Sequence, residues 1–274
     1  MYMTVGGQRV WYERSGIGST VVLLHGLGDS HDLWRHQVGS LSSVHDVVAI
    51  DLPGHGRSEI GGRDLTVALM ADTVVGLLEA LNVSRPVIVG LSMGGGVAQA
   101  IAVSRPWLPA ALVLVSTSSE LPQATRERMI IRARRAERDG MAAVVEQTVP
   151  RWFTPEFTAR EPGEVARTRC TVLCTAPSAF GAASRANAAR ELTNGLDRIQ
   201  CPVLFVGGAD DPADPLRAVK IYQERLRAVR TMIIPGASHL VPVEAPAQFN
   251  KELLRFIGEV ESTGDARGEG GEQS

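Results

Sequence analysis

The most constraining stretch of the chain lies near residue 90. A run of apolar residues from Pro86 to Gly90 leads directly into Gly90-Leu91-Ser92-Met93-Gly94, and a helix rich in Gly and Ala follows from Met93 to Val103. The apolar run lacks the alternation of a half-solvated strand, so it predicts a strand buried on both faces. A strand that turns sharply into a helix through G-x-S-x-G lifts the central side chain out of the sheet. The strained backbone needs small neighbours two positions before and two after, and Gly90 and Gly94 supply them. Gly95 and Gly96 let the helix lie close to the sheet.

The same rhythm recurs along the chain. Thr4 to Arg14 reads as a hairpin about Gly6-Gly7, and Thr20–Leu24, Asp46–Ile50, Ala110–Val115, Pro202–Gly207 and Thr231–Ile234 read as strands. Helical spacing marks Leu65–Leu81, Leu216–Leu226 and Ala247–Val260. Short apolar strands alternating with amphipathic helices imply an α/β fold with a mostly parallel sheet covered on both faces. The rhythm breaks from 118 to 198, which holds helical patches and no convincing strand. That segment is predicted to be a helical cap inserted between the sixth and seventh core strands, leaving 1–117 and 199–260 as the core. It carries 13 Arg against 10 Asp plus Glu, a locally basic balance. Residues 261–274, rich in Gly and Glu, are expected to form a disordered tail.

Composition narrows the classes of function. A net charge of −2 does not favour nucleic acid, and no apolar run reaches the length of a membrane helix. The N-terminus has no signal-peptide pattern, so a cytoplasmic location is expected. Cys170, Cys174 and Cys201 are too few and too unevenly spaced for a disulfide framework. They are expected to be buried free thiols, with no metal and no cofactor.

A serine hydroxyl attacks a carbonyl at neutral pH only with a base in hydrogen-bond reach and an acid behind that base. Of the six histidines, only His239, in Gly236-Ala237-Ser238-His239, follows the last strand. The loop Gly207-Gly208-Ala209-Asp210-Asp211-Pro212-Ala213-Asp214-Pro215 offers the acid. Asp210 and Asp211 are both candidates, and Pro212 favours Asp211 by biasing it toward extended backbone. Two backbone N–H groups are needed for the developing oxyanion. Met93 opens the helix after Ser92, and Leu27 follows His25-Gly26.

In order and spacing, His25-Gly26, Asp51-x-x-Gly54-His55-Gly56-x-Ser58, Gly90-x-Ser92-x-Gly94-Gly95, Gly208-x-x-Asp211-x-x-x-Pro215 and Gly236-x-x-His239-x-x-x-x-Glu244-x-Pro246 resemble the α/β-hydrolase superfamily. The resemblance covers roughly residues 2 to 260 and implies an eight-stranded sheet flanked by helices. It assigns nucleophile, acid and base to Ser92, Asp211 and His239. Within the superfamily, Gly140-Met141-Ala142-Ala143 and Trp152-Phe153-Thr154-Pro155-Glu156-Phe157 in the cap resemble 3-oxoadipate enol-lactonases. The implied activity is hydrolysis of a carboxylic ester or lactone through an acyl-enzyme, with a small molecule as partner. Trp152 is a candidate pocket wall, and Arg132, Arg134, Arg135 and Arg190 are candidates for a carboxylate clamp. The competing readings are a carbon–carbon bond hydrolase of ring-cleavage diketones, a cofactor-free haloperoxidase or perhydrolase, and a slow-turnover ligand-binding relative. Leu91 argues against the first, because that group usually has Asn there.

Overall fold

The computed structural model describes residues 1–61 and 64–268. Eight strands form one sheet: β1 (Tyr2–Val5), β2 (Gln8–Ser15), β3 (Thr20–Leu24), β4 (Asp46–Ile50), β5 (Val87–Leu91), β6 (Ala111–Val115), β7 (Val203–Gly208) and β8 (Val229–Ile234). Their spatial order is β1-β2-β4-β3-β5-β6-β7-β8. β1 and β2 pair antiparallel, as do β2 and β4; every later pairing is parallel. The central strands β4, β5 and β6 are buried at every position, as uninterrupted apolar runs require.

Helices α1 (Arg35–Leu41), α2 (Val67–Ala80) and α3 (Met93–Ser104) follow β3, β4 and β5. Thr66 caps α2 by accepting the Leu69 N–H at 3.0 Å, which places the helix start two residues after the expected Leu65. Between β6 and β7 lie α4 (Gln123–Asp139), α5 (Ala142–Thr148), α6 (Pro155–Arg160), α7 (Pro162–Cys174) and α8 (Pro177–Ala188). Helices α4 and α8 run against each other, joined by the Glu137–Arg185 ion pair at 2.7 Å. After β7 come α9 (Pro215–Arg225), α10 (Val241–Glu244) and α11 (Pro246–Gly268). In the core, α2 packs with α3 and α1 packs with α11.

Three expectations need correction. Strand β8 begins at Val229 rather than Thr231, because Val229 and Arg230 pair with Val203 and Leu204. Its residues before Ile234 are only half-buried, so an edge strand with Arg230 inside it sends a weak apolar signal. The last helix runs to Gly268, into the segment read as a tail, while 269–274 lie outside the described residues. The thiols are free, but Cys170 and Cys174 are exposed and Cys201 is only partly covered. Helix α7 buries Thr168 and Val172, and the two cysteines point elsewhere.

The turn after β4 braces the sheet's C-terminal edge. The buried Asp51 carboxylate accepts the His31 N–H at 2.7 Å, the His31 ring at 2.8 Å and the Arg57 N–H at 2.8 Å. Burial alone would raise its pKa, but the His31 hydrogen bond and the two backbone donors outweigh burial and hold it below the usual carboxylate value. Every partner of Asp51 is a donor, so an amide nitrogen there would face another N–H. Asp51→Asn is expected to cost about 2–4 kcal/mol of stability, measured by urea unfolding. An unchanged midpoint and slope would show that this brace carries no stability.

Candidate active site

Ser92 sits at the junction of β5 and α3 with φ 53° and ψ −109°. A non-glycine residue held there costs of order 1–3 kcal/mol and persists only where its surroundings force it. Its N–H donates to the Val115 carbonyl at 2.9 Å, and its own carbonyl accepts the Thr117 hydroxyl at 2.7 Å and the Gly96 N–H at 3.1 Å. A Cβ on Gly90 would lie 2.4 Å from the Gly94 carbonyl oxygen, and one on Gly94 would lie 2.3 Å from that of Leu24. The close approach of strand, turn and helix is therefore incompatible with any side chain at either position.

His239 lies in the loop between β8 and α10, and its Nδ1 is 2.8 Å from Asp211 Oδ2. Asp211 follows β7 and is buried, whereas Asp210 is exposed. The other Asp211 oxygen accepts the Ala213 N–H at 2.8 Å. Burial works to raise the Asp211 pKa, but the His239 charge, its hydrogen bond and the Ala213 N–H bring it below the ordinary value. The acid therefore stays ionised, and the Nδ1 nitrogen is the one it orients.

Ser92 and His239 line one cavity of about 560 Å³. No hydrogen bond joins them among the described residues. Leu27 lines the same cavity, and Met93 is the first residue of α3, where an N–H has no intrahelical acceptor. The Leu27 loop is held from behind. The His25 Nδ1–H donates to the Gly26 carbonyl at 2.7 Å, while its Nε2 accepts the Leu52 N–H at 2.9 Å. Complete burial lowers the His25 pKa and keeps the ring neutral, as that pairing requires.

The remaining sequence candidates separate. Trp152 lines the cavity, and its ring stacks on His239 with centroids 6.3 Å apart. Arg132 and Arg135 line it from α4, whereas Arg134 points away. Arg190 is already committed to the protein: its guanidinium donates to Asn187 Oδ1 at 2.5 Å and to the Ser92 carbonyl at 3.4 Å. It buttresses the serine turn, a correction to its reading as a clamp, because its Nη1 donors are already taken by Asn187 and the Ser92 carbonyl.

Sequence reasoning missed the part played by Glu244. Its buried carboxylate accepts the Thr154 N–H at 2.7 Å, the Thr154 hydroxyl at 3.0 Å and the Ser238 N–H. The Leu240 N–H also donates to the Trp152 carbonyl at 3.2 Å. The turn that carries Trp152 is thereby fastened to the loop that carries His239. The available signal was the spacing His239-x-x-x-x-Glu244, a buried-type acid just past the histidine, but its partner Thr154 is 90 residues away. Glu244→Ala orphans three donors and is expected to lower stability by about 2–4 kcal/mol in urea unfolding. A loss under half a kilocalorie would mean that water replaces the carboxylate at no cost.

Comparison with known proteins matches residues 21–252 to the alpha/beta hydrolase family. The 3-oxoadipate enol-lactonase 1 of Acinetobacter baylyi is 26% identical over 88% of this chain and 89% of its own length. The enol-lactonase from Burkholderia xenovorans LB400 is 27% identical with a TM-score of 0.90, covering 94% of this chain and all of that one. A malate-bound thermophilic esterase from Thermogutta terrifontis is 27% identical with a TM-score of 0.89, covering 95% of this chain and 98% of its own.

Proposed function

Because this chain belongs to the alpha/beta hydrolase family, we propose that it cleaves a carboxylic ester or lactone through an acyl-enzyme formed on Ser92. The observation that carries the reading is the strained Ser92 turn facing the same cavity as a histidine already bonded to a buried carboxylate. Ser92 Oγ attacks the carbonyl carbon while His239 Nε2 takes its proton. Asp211 remains ionised and stabilises the imidazolium that forms. The tetrahedral oxyanion is met by the Leu27 and Met93 N–H groups, each contributing about 3 kcal/mol of transition-state stabilisation. His239 then returns the proton to the leaving oxygen. In a lactone that oxygen stays tethered to the acyl group, so ring opening and acylation are one event. Water, deprotonated by His239, attacks the acyl carbon and releases the acid.

The finer reading is an enol-lactone substrate such as 3-oxoadipate enol-lactone. It is supported by the cap stretch from Trp152 to Phe157 and by the enol-lactonases among the relatives. The cavity volume lies within the range of small-molecule sites.

Ser92→Ala is expected to lower hydrolysis of a chromogenic short-chain ester by at least about 10³-fold with the circular dichroism spectrum unchanged. Asp211→Asn is expected to cost about 10³–10⁴-fold, and Asp210→Asn no more than about threefold. Full activity in Ser92→Ala overturns the mechanism, and the opposite ranking of the two aspartates moves the acid by one residue. For the lactone, kcat/KM on 3-oxoadipate enol-lactone is expected to exceed that on a neutral aryl ester by about tenfold or more. A clear preference for the aryl ester removes the lactone assignment and leaves esterase chemistry in place.

A further inference from the structure

Five arginines line the cavity from the cap: Arg128, Arg132 and Arg135 on α4, Arg151 beside Trp152, and Arg190, which is bonded to the Ser92 carbonyl. At 100° per residue, positions 128, 132 and 135 fall within about 60° of one helix face. The carboxylates around the same cavity are otherwise engaged. Asp211 holds His239 at 2.8 Å, Glu120 pairs with Arg217 at 2.6 Å, and Asp214 caps α9 at 3.1 Å. Asp29, fully buried beside the Leu27 loop, is pushed up by burial to about 7 and is a weak counter-charge at neutral pH.

Arg126, Arg138, Arg169 and Arg185 each pair with a carboxylate. Like Arg128, Arg135 and Arg151 beside it, Arg132 makes no ion pair among the described residues, but unlike them it has a buried guanidinium nitrogen, Nε, with no partner. Burial, with repulsion from Arg151 and Arg128, lowers its pKa to about 10, which still leaves it charged at neutral pH. Taking a guanidinium out of water without a counter-ion is costly, and an anion entering the cavity would recover that cost. Its planar fork of donors matches both oxygens of a carboxylate.

We propose that Arg132, flanked by Arg128 and Arg151, binds a carboxylate carried by the substrate, so that the hydrolytic site discriminates in favour of anionic esters or lactones. The inference rests on the acyl-enzyme reading above. Arg132 would orient the chain so that its reactive carbonyl meets Ser92, and the cap would read charge while the core performs the chemistry.

The test compares p-nitrophenyl hemiesters of succinate, glutarate and adipate with neutral p-nitrophenyl esters of matched length. The wild-type enzyme is expected to favour the best hemiester by about tenfold or more in kcat/KM, and the preference should shrink with added salt. In Arg132→Met that ratio is expected to collapse by about tenfold, mainly through KM, with Arg132→Lys intermediate. The Met variant should also keep or raise Tm, because it removes an unpaired buried charge. A purely structural arginine would instead lower Tm and leave the charge ratio alone. If wild type prefers the neutral esters, and Ser92→Ala removes that activity, the hydrolase reading stands and the anion subsite is wrong. If neither ester is turned over, glutarate binding followed by thermal shift decides. A rise in Tm for wild type that vanishes in Arg132→Met supports the subsite, and no rise, or the same rise in both, overturns it.

Discussion

The backbone at Ser92 cannot relax without dismantling the middle of the sheet. Its φ of 53° is disfavoured for a residue with a side chain, yet its N–H is bonded to β6 and its carbonyl to Thr117 and α3. Those bonds join the two central strands and the helix that covers them. They hold the turn because breaking them would leave buried polar groups unpaired, a penalty comparable with the strain itself. The consequence is a hydroxyl raised above the end of β5 into a cavity, which no relaxed strand-to-helix turn would achieve. Arg190 adds a cation to the same carbonyl, so the helical segment between β6 and β7 supports the turn.

Two other buried carboxylates do for the loops what those bonds do for the turn. Asp51 gathers the segment after β4 around His31, and His25 ties the Leu27 loop to Leu52. Glu244 fastens the Trp152 turn to the His239 loop. Both carboxylates meet only donors, so each is satisfied in a single arrangement. Loops are the mobile part of most folds. Here the segments that present Leu27, Trp152 and His239 are each anchored by buried hydrogen bonds.

Features that cost stability collect around the same cavity: the strained Ser92, a second positive φ at Ser116, the buried Asp29 carboxyl and the unpaired Arg132. The distant core shows the opposite pattern, with β5 and β6 buried and apolar throughout and β4 apolar after Asp46, which is paired with Arg14. Local departures from good packing and pairing are expected where a protein does its work, because a site must hold groups ready for a ligand that is absent most of the time. Arg132 belongs to this set because its buried guanidinium nitrogen has no internal partner among the described residues.

The local sequence was sufficient for the buried strands, for the serine turn with its flanking glycines, and for His239 after the last strand. Each depends on residues adjacent in the chain: apolar runs report burial on both faces, and glycine reports close backbone approach. It was less reliable at β8, where an edge strand with Arg230 carries little hydrophobic pattern, and at the cap cysteines, whose exposure depends on how α7 is turned. Only the tertiary structure decided that Glu244 reaches Thr154, and that Arg190 serves the Ser92 carbonyl while Arg132 is left without a partner. A charge is satisfied by whatever lies within a few ångströms of it, and for these residues the neighbours come from distant parts of the chain that only folding brings together.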